Sequence, residues 1–166
     1  MEAIGRLVGE VAHEYNNKLG VMLAYSEMIL QKAEGKDKAL EAQIGKVLSH
    51  ARQEHGKQRV QALVFVGDAM EEAIDDLCAA AGELGLLGVP LFMFQEGGDP
   101  VAESAYREIA RLSRGAYCRF DTGAAHELRE LLRAVAAYAA GGIKALADLS
   151  ARKSSGARLL LAQLKP

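Results

Sequence analysis

The sequence predicts an α/β protein: an incomplete parallel sheet of at least three strands with covering helices, preceded by an N-terminal antiparallel helical hairpin. Three observations predict it. Short, continuous, β-favouring runs begin at Val60, Val89 and Tyr117. Each is followed by a Gly, Asp or Pro signal and then a longer stretch of helical periodicity. The residues before Val60 show helical spacing alone.

Taken in order, Val8, Tyr15, Met22 and Ile29 recur seven apart, with Val11, Leu19 and Leu23 on the same side, which predicts one helix from Glu2 to about Glu34. Its length would be on the order of 45 Å, more than a small domain covers without a partner helix. Gly35 and the charged run Lys36-Asp37-Lys38 form a turn, and Leu40, Ile44, Val47, Leu48 and Ala51 mark the second helix. Residues 1–55 are thus assigned to the hairpin and residues 56–166 to the α/β unit.

In that unit Val60 to Val66 reads as a buried parallel strand ending at Gly67-Asp68, and Ile74, Leu77, Cys78, Ala81 and Leu84 define a helix within Glu71 to Leu86. Val89 to Phe94 is the second strand. Asp99 as N-cap and Pro100 at the first helical position open a helix to about Ser113. Tyr117 to Phe120 is the third strand, and helices follow over Ala124 to Ala140 and Ile143 to Ala151. After the polar break Lys153-Ser154-Ser155-Gly156, the closing segment Arg158 to Leu164 fits either helix or strand.

Half of the 166 residues are hydrophobic, enough for one real core, and the formal net charge is −2. Lys and Arg are spread along the chain, so neither nucleic acid nor an anionic membrane is expected as a partner. No stretch approaches the roughly 18 to 20 apolar residues that span a bilayer, and a soluble, cytoplasmic protein is expected. Cys78 and Cys118 lie in apolar settings with no CxxC, and read as small core residues. No strained Gly-x-Ser-x-Gly turn surrounds Ser104, Ser113 or Ser150, and His50, His55 and His126 are scattered, so no nucleophile triad is expected. His126, beside Glu127 and Glu130, reads as part of a solvated face.

The segment Ile4-Gly5-Arg6-Leu7-Val8-Gly9-Glu10-Val11-Ala12-His13-Glu14-Tyr15-Asn16-Asn17-Lys18-Leu19 resembles the phosphoacceptor box of histidine kinases. The resemblance implies phosphorylation of His13, with Glu14 assisting the imidazole as a base and Asn17 serving dephosphorylation. On a helix His13 would lie about 160° around the axis from Tyr15, away from the apolar stripe. That family's ATP-binding domain needs a metal-chelating Asn motif and Gly-rich loops, and neither follows Ala51, so no self-phosphorylation is expected.

A second resemblance covers roughly Ala42 to Leu164. Val60-Gln61-Ala62-Leu63-Val64-Phe65-Val66-Gly67-Asp68-Ala69-Met70-Glu71-Glu72, Gly88-Val89-Pro90-Leu91-Phe92-Met93-Phe94 and Gly115-Ala116-Tyr117-Cys118-Arg119-Phe120 are similar to core strands in the second half of bacterial von Willebrand factor type A domains. The resemblance implies Asp68 as a ligand of Mg²⁺, shared with an upstream D-x-S-x-S loop and a threonine. That loop does not occur, and Glu41-Ala42 stand where the threonine is expected. One carboxylate, even with Glu71 or Glu72 near, makes no selective Mg²⁺ site, so Asp68 is expected to act as a helix N-cap and no cofactor is expected. A phosphoreceiver reading with Asp68 as acceptor is set aside, because the first-strand acidic pair is missing and Arg119 replaces the expected lysine.

The expectation is therefore a non-enzymatic interaction or scaffolding module of bacterial signalling type, with protein partners and a homodimer through the hairpin. The alternative is a histidine phosphotransfer component that accepts phosphate on His13.

Overall fold

The computed structural model of the chain describes residues 6–7, 20–25 and 43–164. Four parallel strands in the order β1-β2-β3-β4 form its centre: β1 (Val21–Tyr25), β2 (Ala62–Gly67), β3 (Leu91–Glu96) and β4 (Ala116–Phe120). Helix α1 (Gln43–Lys57) precedes β2, α2 (Ile74–Leu86) and α3 (Pro100–Leu112) make the next two crossovers, and α4 (Ala125–Ala151) and α5 (Ser155–Leu161) follow β4.

Each strand is added on the same side of its predecessor, so crossovers of one hand fall on one face of the sheet. There Ile44, Leu48 and Ala51 of α1, Leu77, Ala81 and Leu84 of α2, and Ala105, Tyr106 and Ile109 of α3 pack on Leu63, Phe65, Leu91 and Met93. The opposite face, presenting Ala62, Val64, Val66, Phe92 and Phe94, is covered by α4, α5 and Leu7. Burial on both faces explains why β2 and β3 are buried at every position and why residues 62–67 and 91–94 read as unbroken apolar runs.

Several local expectations hold. Asp99 caps α3, its Oδ1 accepting from Val101 N–H at 2.8 Å and Ala102 N–H at 3.0 Å, with Pro100 beginning the helix. Non-helical Gly141 and Gly142 divide α4 into two arms where two helices were expected. Of the closing segment, which fits either helix or strand, residues 158–161 belong to α5 and residues 162–164 follow it in a turn; Ser154 caps the helix by accepting from Ala157 N–H at 3.2 Å.

The expected helix from Glu2 to Glu34 is not continuous, because Val21–Tyr25 is a strand paired in register with Ala62 to Val66. The break is Gly20, whose φ of +64° is natural to glycine, and a Cβ there would stand 2.9 Å from the Arg59 carbonyl oxygen. Gln61 N–H donates to the Gly20 carbonyl at 2.8 Å and sets the two strands side by side. Periodicity alone does not separate a short apolar run on a helix from a buried strand. The segment 1–55 thus contributes a strand and a helix to the α/β layers. Arg6 and Leu7 are helical, and residues 1–5, 8–19 and 26–42 of the expected hairpin lie outside the described residues.

Candidate functional site

The site is built where α1 meets the loop between β2 and α2. The first turn of α1 contains no acidic residue of its own, and Glu72 supplies the negative charge that a helix N-terminus favours. Its Oε1 accepts from Ile44 N–H at 2.6 Å and its Oε2 from Gly45 N–H at 2.8 Å. Charge-assisted bonds of this length are stronger than neutral ones.

A second clamp holds the start of the same loop. Tyr106, fully buried in α3, donates its hydroxyl to the Ala69 carbonyl at 2.9 Å, and its ring meets Phe65 edge-on at 5.8 Å. Gly67 leaves room for this hydroxyl, since a Cβ there would stand 2.6 Å from it. Burial, and after it the Asp68 and Glu72 carboxylates, pushes the Tyr106 phenol well above its ordinary range, so it stays a neutral donor.

Beside the Glu72 clamp lies an open groove of about 820 Å³. Lys46, Ser49, His50 and Gln53 form its α1 wall, Glu71, Glu72 and Asp76 the opposite wall, and Leu77 and Ala80 lie along α2. Both signs of charge face one space, and Lys46, His50, Glu71 and Asp76 are exposed. Ser49 and His50 are consecutive on a helix and point in different directions, so they do not form a nucleophile–base pair.

Asp68 is exposed at the carboxyl end of β2, beyond the groove lining. The expected N-cap role is corrected: α2 opens five residues later with Ala73 at its N-cap and no side-chain cap, and Asp75 and Asp76 supply negative charge in its first turn. Among the described residues no group of three His, Cys, Asp or Glu side chains is placed to hold a metal ion. Glu72, a potential companion of Asp68, spends both oxygens on α1. His13, Glu14 and Asn17 lie outside the described residues.

Sequence reasoning missed a second polar cluster at the ends of β3 and β4. Gln95, wholly buried, accepts the Tyr117 hydroxyl at 2.6 Å and donates to the Asp99 carbonyl at 2.8 Å. The Arg107 guanidinium stands 4.4 Å above the Tyr117 ring and pairs with Glu103 at 2.8 Å. Buried Glu96 accepts from Gly123 N–H at 3.1 Å and ties down the loop after β4. The one available signal was a polar residue, Gln95, directly after an apolar strand.

The remaining candidates serve structure. Cys118 is a buried core residue whose thiol burial pushes up to about 11, and Cys78 is half-buried with its thiol raised by burial first and Glu108 second. His55 accepts Val60 N–H at 3.2 Å on Nδ1, and His126 is exposed as expected. Ser113 accepts from Leu91 N–H and donates to the Ala110 carbonyl, both at 3.1 Å. No helix among the described residues is long and apolar enough to cross a membrane. In comparisons with known proteins, no family model, no curated protein and no solved structure matches this chain.

Proposed function

We propose that the chain is a non-enzymatic protein-interaction module, similar in its strands to the second half of a von Willebrand factor type A domain, and that the groove between α1 and α2 receives its protein partner. The observation that carries this reading is the double clamp. Glu72, itself in the groove lining, fixes Ile44 and Gly45 and so ties the loop wall to the α1 wall, and Tyr106 fixes Ala69 earlier in the same loop. A preformed groove with Lys46 and His50 on one wall and Glu71 and Asp76 on the other suits a polypeptide segment bearing both charges.

The test exchanges charge without touching the clamps. Immobilised wild-type protein is compared with Lys46→Glu and Glu71→Lys variants for the proteins retained from an extract of its own source cells. The reading requires one or more specific partners to be lost from both variants while their thermal stability is unchanged. Identical sets retained by all three proteins contradict it.

The second reading, a phosphotransfer component, is favoured by the match of His13, Glu14 and Asn17 to a phosphoacceptor box. Incubation with a panel of phosphorylated receiver domains tests it: acid-labile label on wild type and none on His13→Ala supports transfer, and an unlabelled wild type removes it.

A further inference from the structure

The two arms of α4 are joined only by Gly141 and Gly142, and the chain beyond them folds back on the first arm. Ser154 donates its hydroxyl to the Glu130 carboxylate at 3.3 Å, and Gly156 lies against the Glu130 carbonyl, where a Cβ has no room. Glu130 and Ser154 stand at nearly equal distances in sequence before and after the glycine pair, so the result is a helical hairpin turned on two residues. Farther on, Gln163 lays its side-chain amide on β4. Its Oε1 accepts from Tyr117 N–H at 2.9 Å, and its Nε2 donates to the Tyr117 carbonyl at 2.7 Å. Leu146, Ala157, Leu160 and Leu164 complete the core on this face of the sheet.

The bend depends on its glycines. Gly142 has φ +67° and ψ −157°, a conformation essentially restricted to glycine, and a Cβ on Gly141 would stand 2.7 Å from the Ala145 Cβ. Ala139, Ala140, Lys144, Ala145 and Leu146 are good helix formers, so the glycines alone separate a bent α4 from a straight one. They ease the bend and disfavour the straight helix, which biases the balance towards the bend from both sides. Ala140 and Gly141 are exposed, so the turn itself is outside the core. A short hinge between units that pack on each other is the arrangement from which chains exchange identical elements.

We infer that residues 143–164 are an exchangeable unit: Gly141 and Gly142 straighten to make α4 one continuous helix, and the unit docks on a second copy of this chain, which returns its own. The occupant is a second copy because the exchanged unit remakes contacts the chain already has, Ser154 on Glu130, Gln163 on Tyr117 and Leu160 in the core. A straight α4 of 27 residues spans about 40 Å, which carries the unit away from its own first arm. The groove between α1 and α2 lies on the opposite face of the sheet, so the exchanged dimer presents two intact grooves.

The experiment uses the full chain as wild type, Gly142→Ala and Gly141→Ala. Each is unfolded in urea and refolded at low and high protein concentration from equal parts of isotope-labelled and unlabelled chain. Sedimentation velocity gives the mass, and isotope-filtered NOEs show whether Leu131 of one chain touches Gly156 of another, a contact made within one chain in the bent form. Wild type refolded at high concentration should contain a dimer with these NOEs between chains. In Gly142→Ala the association constant should rise on the order of a hundredfold, about tenfold per chain. Gly141→Ala acts through the contact with Ala145 and not through φ, and should shift the same way; it carries the decision with wild type if Gly142→Ala does not fold. Dimers whose Leu131–Gly156 NOEs stay within one chain, as association through any other surface would give, overturn the inference. So does the absence of dimer from every protein that refolds.

Discussion

The Glu72 carboxylate holds the Ile44 amide 2.6 Å from its Oε1, across 28 residues of sequence, and so joins the loop after β2 to the start of α1. With the neighbouring bond to Gly45, this one side chain sets the relation of the two groove walls. Glu72→Gln keeps one acceptor and loses the charge, and is expected to cost about 1 kcal/mol; Glu72→Ala should cost about 2 kcal/mol. Urea denaturation at neutral pH checks both, and equal stability of the three proteins would show that the clamp does not hold the fold.

Tyr106→Phe removes the bond to the Ala69 carbonyl and leaves the ring against Phe65, so it should destabilise by about 1 kcal/mol. The effect should be local. Hydrogen exchange is expected to accelerate from Asp68 to Glu71 and to stay unchanged in α4, and unchanged exchange in the loop would contradict the second clamp.

The Cys118 thiol gives a pH signature. Burial moves it from an ordinary value of 9.0 to about 11, with Gln163 and then Arg107 acting the other way. The folded state therefore holds a proton that the unfolded state releases, and the associated stability is complete below pH 9.0 and is lost as pH rises through about 11. The size is about 2 to 3 kcal/mol for a shift of about two units. Tyr106, also raised by burial, adds a loss of the same sign above 10.0. Urea midpoints at pH 8 and pH 10.5 should differ more for wild type than for Cys118→Ala, and equal differences would refute the assignment.

Asp99→Ala removes the cap of α3 and should cost about 1 kcal/mol, with the first turn of that helix exchanging faster. Because Gln95 bonds the Asp99 main chain and not its carboxylate, the Gln95–Tyr117 bond should survive. Loss of the Tyr117 hydroxyl resonance in the variant would show that the two features are coupled.

These residues also show what was legible in the sequence. β2 and the first four residues of β3 were readable because strands buried on both faces are continuous apolar runs, β4 was readable as a short β-favouring run after Gly115 in spite of exposed Arg119, and the Asp99-Pro100 start and the Gly141-Gly142 break are local chemistry. β1 was not readable, since Met22 falls in a seven-residue helical spacing with Leu23 on the same side, and only pairing with β2 decides between helix and strand. Glu72 was visible as a carboxylate near Asp68, but its bonds to Ile44 and Gly45 depend on how the chain folds back. Gln163 on Tyr117, 46 residues away, is the same case. Tertiary hydrogen bonds leave no period in a sequence.

The central claim is that the groove between α1 and α2 takes a protein partner, and site-specific photo-crosslinking tests it most directly. A photoreactive side chain is placed at Ser49, in the groove, and separately at exposed Leu159 on α5, and each protein is illuminated in an extract of its source cells. The account predicts a discrete adduct from Ser49 alone, abolished by excess unlabelled wild type and by the Glu71→Lys substitution. No adduct at Ser49, or the same adducts from both positions, would contradict it.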